Sequence, residues 1–112
     1  MNRLIFIESF NSTQKEIHNL AKVKGWWDKE RNDGELIALI HSELSEALEA
    51  LRHGNPPDDK VPQHSGLAAE LADVVIRVMD MAEARKIDLG QVIFDKHEYN
   101  STRSHRHGGK NF

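Results

Sequence analysis

The sequence contains no cysteine, so it can form no disulfide, offer no thiolate to a metal and supply no cysteine nucleophile. That absence agrees with a reducing compartment, and the expected location is the cytoplasm. Long apolar runs are missing too. The start carries one basic residue, Arg3, and only four apolar residues in a row, Leu4-Ile5-Phe6-Ile7, too short for a signal peptide or a membrane span. The expectation is a chain that is neither exported nor bound to a membrane. Glycine-rich phosphate loops are absent, with nothing matching the P-loop or the dinucleotide fingerprint. There is no excess of positive charge: 15 Lys and Arg against 18 Asp and Glu leave a net −3, which argues against a general nucleic-acid binder. The charge is unevenly placed, however, and the stretch from Lys96 to Lys110 is basic.

At 112 residues the chain reads as one domain, 1–112, with an N-terminal arm over 1–10 and a flexible basic tail over 104–112. It is long enough for a modest core and is expected to gain stability by self-association. Helical periodicity runs through nearly all of it, and only Leu4 to Ile7 resembles a strand. The fold class is therefore all-α. A first helix is predicted to start after Asn11, where Asn11-x-x-Gln14 resembles a capping box, to turn Ile17, Leu20 and Ala21 inward and to end at Gly25. A second runs from about Gly34 to His53, opened by Asn32-x-x-Glu35 and stopped by Gly54-Asn55-Pro56-Pro57. The proline-bearing segment that follows reads as a surface loop. A third helix begins near Ser65 and runs to about Lys86. A fourth starts at Asp88, with Gln91 as its capping partner, and continues to about Arg103, with Leu89, Val92, Ile93 and Phe94 as its apolar stripe.

The most informative residues are two carboxylate pairs at helical spacing, Glu43-x-x-Glu46 and Glu70-x-x-Asp73. Each flanks an apolar arc. In the second helix the arc is Leu36, Ile37, Ile40, Leu44, Ala47, Leu48 and Leu51, and in the third it is Leu67, Leu71, Val74, Val75, Val78 and Met81. Any single pair is also what a solvated helix face shows. Two pairs together indicate more, because four partly desolvated carboxylates repel strongly unless a cation or a proton neutralises them. If the two helices pack as an antiparallel hairpin, a rise of about 1.5 Å per residue brings all four level to within one turn. Hard oxygen donors of this kind suit Mg²⁺ or Mn²⁺.

Further candidates lie on the last helix and in the first connection. Lys96, Asn100 and Arg103, spaced i, i+4, i+7, extend the line of Leu89 and Ile93 and offer a point charge, an amide and a bidentate fork to an anion such as phosphate. They also fit as solvated charges near a helix C-terminus. Arg77, one turn after Asp73, stands where a base or sugar contact would be made. Trp26 and Trp27 suit stacking on a base, although paired tryptophans after a short amphipathic helix are more often core or interface anchors, and Trp27 is the one taken as a substrate contact. The seven histidines show neither His-Glu-x-x-His nor Glu-x-x-His spacing, so zinc and di-iron sites find no support.

Glu43-x-x-Glu46, about two dozen residues, then Glu70-x-x-Asp73 resembles the signature of the all-α nucleoside triphosphate pyrophosphohydrolases, the superfamily of MazG, dimeric dUTPases, dCTP pyrophosphatase and phosphoribosyl-ATP pyrophosphatase. The resemblance extends from Arg31-Asn32-Asp33-Gly34-Glu35 through both motifs. The ending, Lys96-x-x-x-Asn100-x-x-Arg103 with His107-Gly108-Gly109-Lys110, is similar to that of small MazG-like proteins. It implies Mg²⁺-dependent hydrolysis of an NTP or dNTP to the monophosphate and pyrophosphate, with Glu43, Glu46, Glu70 and Asp73 on the metal and Lys96, Asn100 and Arg103 on the phosphates. Glu46, at the outer edge, would orient or deprotonate the attacking water. It further implies a four-helix-bundle-type core completed by a second subunit, in a homodimer or homotetramer. Phosphoribosyl-ATP hydrolysis and a non-catalytic nucleotide- or metal-binding helical regulator are the alternatives.

Overall fold

In a computed structural model, residues 2–103 are described. They form four helices: α1 (Arg3–Val23), α2 (Asp33–Arg52), α3 (Gly66–Ala84) and α4 (Leu89–Ser101). Among the described residues there is no strand, and no helix is long and apolar enough to cross a membrane. The basic tail over 104–112 lies outside the described residues.

Three of the four N-termini follow the predicted caps. Asn32, Ser65 and Asp88 each accept a hydrogen bond from the amide three residues on, satisfying a donor that the first helical turn leaves free. The exception is α1. Its cap is Asn2, whose side chain accepts from the Ile5 amide, so residues 3–10, expected as an arm, are the first half of a 21-residue helix. Leu4 to Ile7, the one strand-like run, is helical because Phe6, Ile7 and Phe10 form a face at helical spacing, with Phe6 and Phe10 rings 5.8 Å apart. At its other end α1 stops at Gly25, whose φ of +89° is open to glycine and costly for a side-chain-bearing residue.

Asn11, predicted as a cap, instead ties two helices together. Its Nδ2 donates to Asp88 Oδ1 at 2.7 Å and its Oδ1 accepts from the Gly90 amide at 3.1 Å. Gly90 must approach α1 closely: a Cβ there would lie 2.8 Å from Asn11 Oδ1 and 3.2 Å from the Ile7 carbonyl. The Asn11 amide, together with the Gln91 amide, also holds the Asp88 carboxyl below its ordinary range. Asn11→Ala is expected to lose both bonds and about 1–2 kcal/mol of stability, measured as a shift of the urea unfolding midpoint at unchanged slope.

Paired residues give the helix directions. Ala50 with Gly66, Glu43 with Arg77 and Asp33 with Arg85 run in opposite senses along α2 and α3. Gln14 with Glu83 and His18 with Asp80 do the same for α1 and α3. The main packing order is α2, α3, α1, α4, with α3 against both α2 and α1 and α1 also against α4. The outer helices α2 and α4 thus have one main neighbour each.

That row corrects the expected core. Only Leu36, Ala47, Met79, Ala82 and Phe94 are buried hydrophobic residues among those described, and Ile37, Leu44, Leu48, Leu51, Leu71 and Val75 of the two apolar arcs stay 44–50% exposed. The main neighbour of α2 is α3, so much of its apolar arc is left at the surface. One polar side chain is sealed in. Gln14, 1% exposed, donates through Nε2 to Glu83 Oε1 and the Ile87 carbonyl, which fixes the turn between α3 and α4.

Candidate metal centre and adjoining cleft

The antiparallel packing of α2 on α3 brings Glu43, Glu70 and Asp73 together, with one carboxylate oxygen of each within 4.8 Å of the others. Three oxygens on one Mg²⁺ at about 2.1 Å would be spaced by about 3–4 Å, so modest side-chain adjustment gives a common centre. Histidine takes no part in this group. Glu46, on the outer edge of α2, is exposed and outside the trio, although its charge is felt at Glu70.

The electrostatics disfavour full ionisation of the cluster. Glu70 is pushed up from 4.5 to about 7, first by burial, then by a hydrogen bond with Glu43 and by the charges of Asp73, Glu43 and Glu46. Asp73 is also raised, by burial and by Glu43, with Arg77 acting in the opposite direction. Without a cation, protonation of Glu70 is the ordinary response of a carboxylate held this close to others. Arg77 brings a positive charge to the cluster: its Nε donates to Glu43 Oε1 at 2.8 Å. The surface loop contributes the next layer, since Asp58 raises and Lys60 lowers Asp73. Asp58 itself is held low by the amides of Val61 and Lys60, which donate to its Oδ2.

Two cavities meet at the carboxylates. One, of about 400 Å³, is bounded by α1, the α1–α2 connection, α2 and α3, and its walls include Trp26, Arg31, Glu43, Asp73, Arg77 and Asp80. The other, of about 730 Å³, lies under the 58–64 loop and shares Asp73, with Glu70 and His64 on its wall. The walls of the first cleft thus combine aromatic, cationic and acidic side chains.

Other expected site residues are placed differently. Trp26, 60% exposed, lines the cleft, whereas Trp27, the residue singled out for substrate, is turned into the protein and donates Nε1–H to both oxygens of Asp80 at 3.0 and 3.1 Å. An indole N–H beside a half-buried carboxylate makes a charge-assisted bond that an exposed tryptophan would forgo. Lys96, Asn100 and Arg103 are exposed on α4 or just beyond it, where the two cations lie over the Tyr99 ring at 5.7 and 5.6 Å. The helix packs against α1, and no α4 residue borders either cavity at the carboxylates. Within one chain the phosphate stripe and the acidic cluster therefore remain apart. Sequence reasoning set Asp80 on the acidic flank of the third helix and Arg31 at the start of the family resemblance, but gave neither of them, nor His18, a role in the site. The position of Asp80 seven residues after Asp73, on the same helix flank, was the available signal.

No protein-family model, curated protein or solved structure matches the chain.

Proposed function

We propose that this chain is a Mg²⁺-dependent nucleoside triphosphate pyrophosphohydrolase of the MazG-like all-α kind, converting an NTP or dNTP to the monophosphate and pyrophosphate. The observation that carries this reading is the convergence of Glu43, Glu70 and Asp73 from two helices, with Glu70 driven to hold a proton when no metal is bound. A bound divalent ion would supply the charge that the proton otherwise supplies, and an all-oxygen site would suit Mn²⁺ as well as Mg²⁺. The three carboxylates hold the ion, which neutralises phosphate charge. Glu46, outside the trio but close enough to act on Glu70, orients or deprotonates the attacking water. Trp26 takes the base, and Arg77, at the junction of cleft and cluster, contributes its guanidinium to the substrate.

A second copy of the chain belongs to the same proposal. It covers the half-exposed leucines of α2, which leave the single chain with a thin core, and it is the route by which Lys96, Asn100 and Arg103 reach phosphate. The assembly is a homodimer or homotetramer.

Pyrophosphate release from a panel of NTPs and dNTPs with Mg²⁺ or Mn²⁺, comparing wild type with E70A and E46Q, tests the activity. Monophosphate and pyrophosphate in equal amounts, lost in E70A and strongly reduced in E46Q, are expected. No release from any nucleotide, with Mg²⁺ still raising the melting temperature, would replace the enzyme with a metal-binding helical regulator. Full turnover in E46Q would remove Glu46 from the chemistry.

A further inference from the structure

The nine residues between α1 and α2, 24–32, contribute Lys24, Trp26 and Arg31 to the cleft, yet no regular element holds them. Near its start the segment is fastened by the Gly25 and Trp26 amides, which donate to the Lys22 and Ala21 carbonyls. Near its end Arg85 of α3 donates to the Arg31 carbonyl and to Asp33. Between these points the tie is Asp80. Both its oxygens accept from Trp27 Nε1, and Oδ1 also bonds His18 Nδ1 at 2.7 Å. The His18 ring meets Trp27 edge-on at 5.2 Å, and the Arg31 guanidinium lies 5.1 Å from the centroid of the Trp27 ring.

We propose that Asp80 is a positioning residue for the cleft. By holding Trp27 against α3 it fixes the neighbouring Trp26, one peptide away, and Arg31, which rests on the Trp27 ring, as a wall against which the base of a nucleotide stacks. The inference rests on the nucleotide reading above. Asp80 lies seven residues beyond Asp73, about 10 Å along α3, and outside the metal trio, so it acts on the base end of the ligand rather than on the reacting phosphate. Hydrogen bonds to an ionised acceptor are stronger than neutral ones and directional, and a connection without helix or strand bonds of its own depends on such ties for a single conformation.

The test uses the full chain. Asp80→Asn keeps the shape but withdraws the carboxylate, and Trp27→Phe keeps a ring but withdraws the N–H. Each is expected to raise KM for the best nucleotide of the panel about tenfold, as for one strong hydrogen bond, with kcat within about threefold and the Mg²⁺ requirement unchanged. Because both changes break the same bond, the double variant should raise KM no further than the larger single change, and D80E should recover part of the loss. A fall in kcat at constant KM, or a double variant whose effects multiply to about a hundredfold, would overturn the proposal. Hydrogen exchange supplies a readout that needs no turnover. In D80N the amides of 24–31 should exchange about tenfold faster while those of 66–76 are unchanged. Unaltered exchange over 24–31 would sink the positioning role whether or not the protein is an enzyme. Absence of hydrolysis in the wild type, with the exchange change present, would reject the nucleotide reading and the base-stacking wall while retaining the tie itself.

Discussion

Replacing Glu70 with glutamine should abolish Mg²⁺-dependent hydrolysis, by about a thousandfold or more, and at the same time raise the melting temperature of the metal-free protein above pH 7. The two effects have one cause. Glu70 titrates near 4.5 in the unfolded chain and is pushed up to about 7 in the folded one, by burial and by its acidic neighbours. Between those values the folded state binds more protons than the unfolded state, so stability falls as pH rises through that window and stays low above it. Asp73, raised for similar reasons, adds a loss of the same sign. E70Q removes the larger contribution, and its stability should change less between pH 5 and pH 8 than that of the wild type. Metal at the proposed site should reverse the wild-type penalty. A hundredfold excess of Mg²⁺ over its dissociation constant adds about 2.7 kcal/mol, to the wild type and not to the variant. Thermal melts across pH with and without Mg²⁺ check both effects. A wild type whose metal-free stability rises from pH 5 to pH 8 while that of E70Q stays flat would contradict the account.

The second large effect concerns association. On the proposed assembly, Leu48→Arg should leave the chain monomeric at micromolar concentration, weakening association at least a hundredfold, with a melting temperature no higher than that of the isolated chain. Leu48 sits on one stripe of α2 with Ile37, Leu44 and Leu51, all half-exposed in the single chain. Burial of such side chains contributes at about 25 cal/mol per Å², and a guanidinium in their midst adds the cost of an unpaired buried charge. Sedimentation of wild type and L48R at matched concentration decides it. A wild type that sediments as a 12.8 kDa species leaves the stripe without a second copy to cover it.

Several parts of this account were legible in the residues. Asn32, Ser65 and Asp88 announce their helices because a cap is a local device, settled by one side chain and an amide three positions away. The carboxylate pairs were legible for a related reason: helical period fixes their side, and a loop of known length fixes their level. Asn11 was misread because its sequence context is that of a cap, while its partners Asp88 and Gly90 lie 77 and 79 residues away. The exchange of Trp27 for Trp26 has the same origin. Adjacent residues of one type differ only in which way a connection turns, and Asp80 on α3 decides that turn.

The sequence alone therefore determined the all-helical class, three of the four helix starts and the acidic flank of α2 and α3, because each rests on contacts within a few residues or on a regular period. Tertiary structure alone decided that Glu46 stands outside the trio, that Trp26 rather than Trp27 faces the cleft, that Arg77 lies on Glu43, and that α4 sits on α1 with its cations away from the carboxylates. Those outcomes depend on which helix packs beside which, and that choice is made by the summed burial of whole faces, which no single segment encodes.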